Sequence, residues 1–273
     1  MAPQPSPAAD AHPGAAMIEA RKNAAVDALF GLYTRSRVRA AFHGVHLRGA
    51  AHFTPAHLPP GKPVLALVNH TNWWDLFLLH RLTRLVPHKA HYGMMEERNL
   101  APHRFLRGLG LFSVDLETPG RAALGLRRAV RHLRQPDVLL WLFPQGRIEA
   151  PGLPGAVRPG AAWLAARVPD AVVLPIALRY EFFREERPAV LVEAAAPVPA
   201  ASITGDDALL SLLRAPALSL ERLVAAEPGR DLAALLRAGE FVPLERPRLS
   251  ANKKWEWFRR ALAGRLAGFD PHN

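Results

Sequence analysis

Cysteine is absent, which excludes disulfides, thiolate metal sites and cysteine nucleophiles and leaves the redox compartment open. Serine is scarce: seven in 273 residues, none in a G-x-S-x-G elbow, so a serine nucleophile is not expected. No apolar run approaches the roughly 18 residues of a membrane-spanning helix. The start, MAPQPSPAADAHPGAAM, lacks both the basic and the apolar regions of a secretory signal. The expected location is therefore cytoplasmic, with any membrane contact peripheral. Lysine is rare as well; five among 35 basic residues leave 30 arginines, against 24 acids, for a formal charge of +11. That balance favours an anionic partner, a lipid surface or a nucleic acid. Codon bias produces the same Ala-, Arg- and Pro-rich composition, so charge alone does not choose. No aromatic-basic RNA motif or recognition helix is visible, and nucleic acid is not an expected partner.

What is present is enough apolar sequence, 49% of residues, for one sizeable core. Residues 1–16 read as a disordered Pro/Ala tail. Residues 17–40 read as an amphipathic helix, with Val26, Leu29, Phe30 and Tyr33 at helical spacing and Arg21, Lys22, Arg35, Arg37 and Arg39 on the other faces. Residues 41–196 alternate short strands and helices. The strand candidates are Phe42–Arg48, Val64–Val68, Ala90–Met94, Leu111–Leu116, Val138–Phe143, Val172–Tyr180 and Ala189–Glu193; helices are expected near 73–85, 102–109, 121–134 and 161–168. This pattern predicts an α/β domain, a central mixed sheet of about seven strands flanked by helices. Residues 197–273 read as a helical extension. Within it, 205–240 is expected to hold three short helices begun at Asp206/Asp207, Ser219 and Asp231. At 252–269, Trp255, Phe258, Leu262, Leu266 and Phe269 share a helical face beside Lys253, Lys254, Arg259 and Arg260, as suits a membrane interface or a packing surface.

The second strand carries the chemistry. Val64–Val68 is continuously apolar, as a strand covered on both faces should be. It runs into Asn69-His70-Thr71-Asn72-Trp73-Trp74-Asp75 and then a helical stretch. A His at the C-terminal end of a buried strand faces the region where open α/β sheets hold ligands. An Asp in the next helical turn can fold back onto its ring, fixing the tautomer of a general base. This is a base with an orienter and no nucleophile of its own, so it must activate a hydroxyl on the substrate. Trp73 and Trp74 either line an acyl groove or anchor the helix. His88-x2-His91 has no third ligand at a suitable spacing, so no metal is expected.

Asn69-His70-x4-Asp75 resembles the N-H-x4-D block of the glycerophospholipid acyltransferases, whose best-known members acylate 1-acylglycerol-3-phosphate. Three further segments resemble that family's blocks in order: Gly110–Asp115, Phe143-Pro144-Gln145-Gly146 and Val173-Leu174-Pro175-Ile176. Arg158-Pro159-Gly160-Ala161-Ala162 is similar to its basic helix start. The resemblance spans about residues 40–195. It implies that His70 is the general base and Asp75 its orienter. The implied reaction moves an acyl group from acyl-CoA or acyl-carrier protein, used as co-substrate without a cofactor, onto a lysophospholipid-like acceptor at an anionic membrane. Asn69, Phe143, Pro144, Gln145 and Gly146 are the implied substrate-binding residues.

Two positions depart from the family pattern. Leu116 stands where the second block usually ends in Arg, and Gln145 stands where Glu is usual. A phosphate on the acceptor would then fall to Arg121, Arg147 or Arg158. A glycolipid or other neutral lipid alcohol is the alternative acceptor. A non-catalytic basic membrane- or nucleic-acid-binding protein is the alternative of another class.

Overall fold

Five consecutive buried apolar residues, Val64–Val68, form strand β2, near the middle of a nine-stranded mixed sheet in the computed structural model. The structure describes residues 17–246, together with Trp255 and Arg259. The remaining strands are β1 (Gly44–Arg48), β3 (Ala90–Glu96), β4 (Leu111–Val114), β5 (Val138–Leu142), β6 (Val172–Glu181), β7 (Ala189–Ala194), β8 (Val198–Pro199) and β9 (Val242–Glu245). Their order is β4-β3-β5-β2-β6-β7-β1-β9, with β8 paired to β6 off this path. The run from β4 to β6 is parallel; β7 is antiparallel to β6, and β9 to β1. Val64 lies level with both Leu139 and Val172. The C-terminal ends of β2 and β5 and the outer half of β6 therefore meet along one edge.

Alternation along β2 divides the core. Val64, Ala66 and Val68 face helices α1 (Ala24–Ala41) and α2 (Asp75–Leu82). Leu65 and Leu67 face α4 (Pro119–Leu133), α5 (Pro159–Arg167) and α6 (Asp206–Ala225). Apolar residues on both sides of one strand require a helical layer on each face, which is the α/β architecture expected from the sequence.

All seven expected strands form, with ends shifted by up to two residues. The two strands not expected, β8 and β9, each contain a proline, which the alternation reading passes over because proline donates no ladder hydrogen bond. Residues 197–246 thus add strands as well as helices. Three further expectations are corrected. The first helix begins at Ala24, capped by Asn23, whose Oδ1 accepts from the Ala25 and Val26 amides at 2.9 and 3.1 Å. Residues 17–23 are extended instead and latch onto the sheet edge: Ile18 N donates to Ser113 Oγ at 2.7 Å, and Ser113 N donates to Ile18 O at 2.9 Å. Residues 205–240 form two helices rather than three, α6 running through Ser219 and α7 (Leu232–Ala238) capped by Asp231. Proline inside a helix costs about 3 kcal/mol. Pro216 is tolerated in α6 because it sits in a buried stripe with Leu213, Ala217 and Leu220, whose burial offsets that cost. Finally, the expected helix at 102–109 is a 3-10 run, Ala101–Leu109, following α3 (Glu97–Leu100). The N-terminal tail and the aromatic face at 252–269 lie outside the described residues except for Trp255 and Arg259, both helical and exposed.

Candidate active site

β2 ends at Val68 and α2 begins at Asp75, and the six residues between them fold back on that carboxylate. Asp75 is fully buried. Its Oδ2 accepts from three donors: the Thr71 amide at 2.9 Å, the Asn72 amide at 3.0 Å and His70 Nδ1 at 2.7 Å. Its Oδ1 accepts from the Tyr180 hydroxyl at 2.5 Å. A buried carboxylate is costly unless each lone pair is satisfied, and here four donors satisfy it. Because a carboxylate can only accept, Nδ1 of His70 carries the proton and Nε2 is left as the base. The ring stacks on Phe143 at 4.0 Å between centroids and 14° between planes, which fixes its second rotational axis. Burial and the neighbouring Asp75 charge push the Tyr180 hydroxyl well above its usual range, so it remains a donor.

The turn after β5 closes the other side. Gln145 is buried; its Oε1 accepts from His70 N at 2.7 Å and its Nε2 donates to Glu149 Oε2 at 2.6 Å. Glu149 N in turn donates to His70 O at 2.9 Å. Burial works to raise the Glu149 carboxyl, but hydrogen bonds from Gln145, Gly155 and Arg147 outweigh it and hold the carboxyl below its usual range. Gly146 has φ +69°, where a side chain is strained, and a Cβ there would meet Arg158 Nε at 2.6 Å, so any substitution requires the arginine to move. Its N–H donates to Phe143 O at 3.0 Å and is engaged within the turn.

The residues singled out in the sequence have different fates. His70, Asp75, Phe143, Gln145 and Gly146 converge. Pro144 contributes its carbonyl, which accepts from Arg158 N at 2.8 Å and brings the start of α5 to the turn. Asn69, expected to touch substrate, instead uses both ends of its amide on Leu178, donating to the carbonyl at 3.0 Å and accepting from the amide at 2.7 Å. It clamps β2 to β6. Arg121 is removed from the phosphate candidates: Glu97 at 2.6 Å and Asp115 at 2.9 Å already hold it. Arg147 and Arg158 are exposed at the turn, and Leu116 packs beside Gly146. The two tryptophans divide. Trp74 packs edge-on against Phe42 in the core, whereas Trp73 is 63% exposed at the mouth. His91 is neutral, pushed down to about 4 by burial, with Trp141 Nε1 3.3 Å from its Nδ1 and Val86 O 3.0 Å from its Nε2. Both ring nitrogens are thus engaged within the protein.

Tyr180 and Glu149 join the site although neither is among the residues expected there from the sequence. Tyr180 had no signal in the sequence, because it reaches Asp75 only through the pairing of β6 with β2. Glu149 had none, since loop residues carry no periodicity. Glu149 also accounts for the glutamine. A carboxylate at position 145 would place two acids 2.6 Å apart, whereas an amide donates. We expect Gln145→Glu to lower stability and turnover, by about 1–3 kcal/mol for the broken charge-assisted bond. Adding Glu149→Gln should restore most of both. Thermal melts and turnover of the two variants test this, and a double variant no better than the single would refute the coupling.

The model of the family described as Acyltransferase matches residues 51–179, which contain every residue of the site except Tyr180. No curated protein matches the chain. Among solved structures, the 1-acyl-sn-glycerophosphate (LPA) acyltransferase PlsC from Thermotoga maritima is similar, at a TM-score of 0.51 and 17% identity over 74% of this chain and 79% of that one. At that identity the likeness speaks for the fold. Family match and fold agree: residues 51–179 match the Acyltransferase family model, and the chain is similar in fold to that acyltransferase.

Proposed function

We propose that this protein transfers a fatty acyl group from a pantetheine thioester, acyl-CoA or acyl-carrier protein, to the hydroxyl of a lysophospholipid-like acceptor. The observation that carries the reading is the His70–Asp75 pair at 2.7 Å, with Nε2 left free as a base. Among the described residues no serine or threonine hydroxyl bonds to His70, so the hydroxyl it activates is the acceptor's. As the acceptor oxygen attacks the thioester carbon, Nε2 takes its proton, and Asp75 stabilises the imidazolium. The proton then passes to the departing thiolate. Incubating the protein with labelled acyl-CoA and a panel of lysophospholipids, glycolipids and lipid alcohols, with products read by mass, tests the proposal. Transfer to a lysophospholipid is expected; thioester hydrolysis alone, with no acceptor acylated, would overturn it.

Leu116 beside Gly146 favours a second acceptor class, since an apolar side chain there suits a neutral glycolipid or lipid alcohol. Arg158 decides between them. If the acceptor carries a phosphate, Arg158→Gln should lower kcat/KM for the phosphorylated acceptor roughly ten- to hundred-fold. The dephosphorylated counterpart should change little. Equal use of both lipids by wild type and variant would favour the neutral acceptor.

An exposed apolar surface supports the same reading. On α1, Leu29 and Leu32 are 68% and 69% exposed and Tyr33 is about half exposed, as is Phe105 in the 3-10 run beside it. Through Phe30 and Phe77, with centroid distances of 4.9 to 6.3 Å, these rings connect to Trp73 at the mouth of the site. No helix among the described residues is long and apolar enough to cross a membrane. An exposed apolar patch joined to the site of a lipid-modifying reaction suits peripheral docking. Leu29→Ser/Leu32→Ser/Phe105→Ser should reduce binding to anionic liposomes at least about ten-fold, from the apolar area withdrawn. Sedimentation unchanged from wild type would rule out this face.

A further inference from the structure

On the sheet face opposite α1 and α2, a groove of about 950 Å³ runs between α4 and α5. Its floor is apolar, formed by Leu126 and Val130 among others, and every charged residue lining it is an arginine. Arg127, Arg131 and Arg134 recur at i, i+4 and i+7 along α4, one stripe about 10 Å long at ~1.5 Å per residue. Arg167 faces them from α5, its guanidinium 4.9 Å over the Trp163 ring. Glu19 pairs with Arg131 at 3.4 Å and with Arg128 at 2.8 Å. Arg127, Arg134 and Arg167 form no ion pair among the described residues. Such a wall of one charge, left unneutralised beside a recess, is suited to an anion of matching charge.

One end of the groove leads to the catalytic turn. Pro159 and Gly160 line it; the preceding Arg158 lies against Gly146, and so does Leu116, three residues before α4 begins. From Ala123 at this end, α4 carries the groove about 16 Å away to Arg134.

Resting on the acyl-transfer reading above, we propose that this groove binds the acyl donor as coenzyme A. The 3′-phospho-ADP end would sit on Arg127, Arg134 and Arg167, its adenine beside Trp163, and the pantetheine arm would follow the apolar floor towards His70. Three observations together point to the nucleotide. The volume falls within the range of small-molecule pockets. Closely spaced phosphates match arginines that present paired donors within about 10 Å. An indole already faced by a guanidinium offers a stacking surface beside those charges. A carrier protein would satisfy the stripe with an acidic helix and the floor with its own pantetheine arm, but it has no adenine to place on the ring and no 3′-phosphate for the arginines.

Titration calorimetry on the full chain tests this with three probes: free coenzyme A, its form lacking the 3′-phosphate, and holo acyl-carrier protein. Wild type should bind coenzyme A more tightly than the dephospho form. Arg134→Gln/Arg167→Gln should weaken coenzyme A roughly ten- to hundred-fold. The same variant should lose the preference for acyl-CoA over acyl-pantetheine in kcat/KM, a ratio that general misfolding would not move. Absence of coenzyme A binding, binding indifferent to both arginines, or arginine-dependent binding of carrier protein alone would overturn the proposal. Arginine-dependent coenzyme A binding without transfer to any lipid would keep the groove and instead count against the acyl-transfer reading.

Discussion

His70→Ala should keep its fold and lose acyl transfer by about 10²–10⁴-fold, the usual cost of removing a general base. Retention of the fold is expected because the residues around His70 are held by backbone rather than by its ring. The His70 amide still donates to Gln145 and its carbonyl still accepts from Glu149. Asp75 keeps Thr71, Asn72 and Tyr180 as donors when the imidazole is gone. Nothing else in the site can replace the base. Gln145 does not titrate, Glu149 is held ionised behind it by three hydrogen bonds, and Tyr180 stays protonated. Steady-state rates alongside a thermal melt check the prediction. A well-folded variant with substantial transfer would remove His70 from the mechanism.

The parts of this site that can be read in the sequence are those built from neighbours along the chain. His70 and Asp75 are five residues apart, and their meeting depends only on a strand ending and a helix starting between them. The unbroken apolar run at Val64–Val68 predicts a central strand, and two helical layers follow from it. What the chain brings together by topology is not legible in the same way. Tyr180 reaches Asp75 only because β6 is the neighbour of β2 in the sheet, a pairing that hydrophobic pattern does not specify. The partner of Asn69 is hidden for the same reason: Leu178 belongs to that neighbouring strand. Arg121 stands among the phosphate candidates because the acids that hold it, Glu97 on α3 and Asp115 in the turn before α4, meet it only in the folded chain. The extended latch at residues 17–23 illustrates a different limit. Its residues suit a helix, but hydrogen bonds to Ser113 and Arg107 at the sheet edge outweigh that weak local preference.

Asp75→Asn should cost about 10²–10³-fold, less than the loss of His70, and the structure gives the reason. In a serine-type triad the corresponding amide can turn its NH₂ towards the histidine and impose the wrong tautomer. Here the Thr71 and Asn72 amides both point at the oxygen that also accepts from His70. Neither backbone N–H can become an acceptor, so the asparagine must place its carbonyl oxygen at that corner and its NH₂ towards Tyr180. The tyrosine hydroxyl can rotate to accept, and Nδ1 of His70 still donates. The tautomer survives and Nε2 remains a base. What disappears is the negative charge that stabilises the imidazolium as the acceptor's proton is taken, worth roughly 3–4 kcal/mol between charges about 4 Å apart at an effective dielectric near 20. Tyr180→Phe added to Asp75→Asn would strand the buried NH₂ without a partner and should lower stability by about 1–3 kcal/mol more. Nitrogen-15 spectra of the His70 ring distinguish the alternatives. An unchanged Nδ1–H form in Asp75→Asn, with kcat reduced, supports the account. A shift to the Nε2–H form, with a loss as deep as that of His70→Ala, would show that the two backbone amides do not control the side chain's orientation.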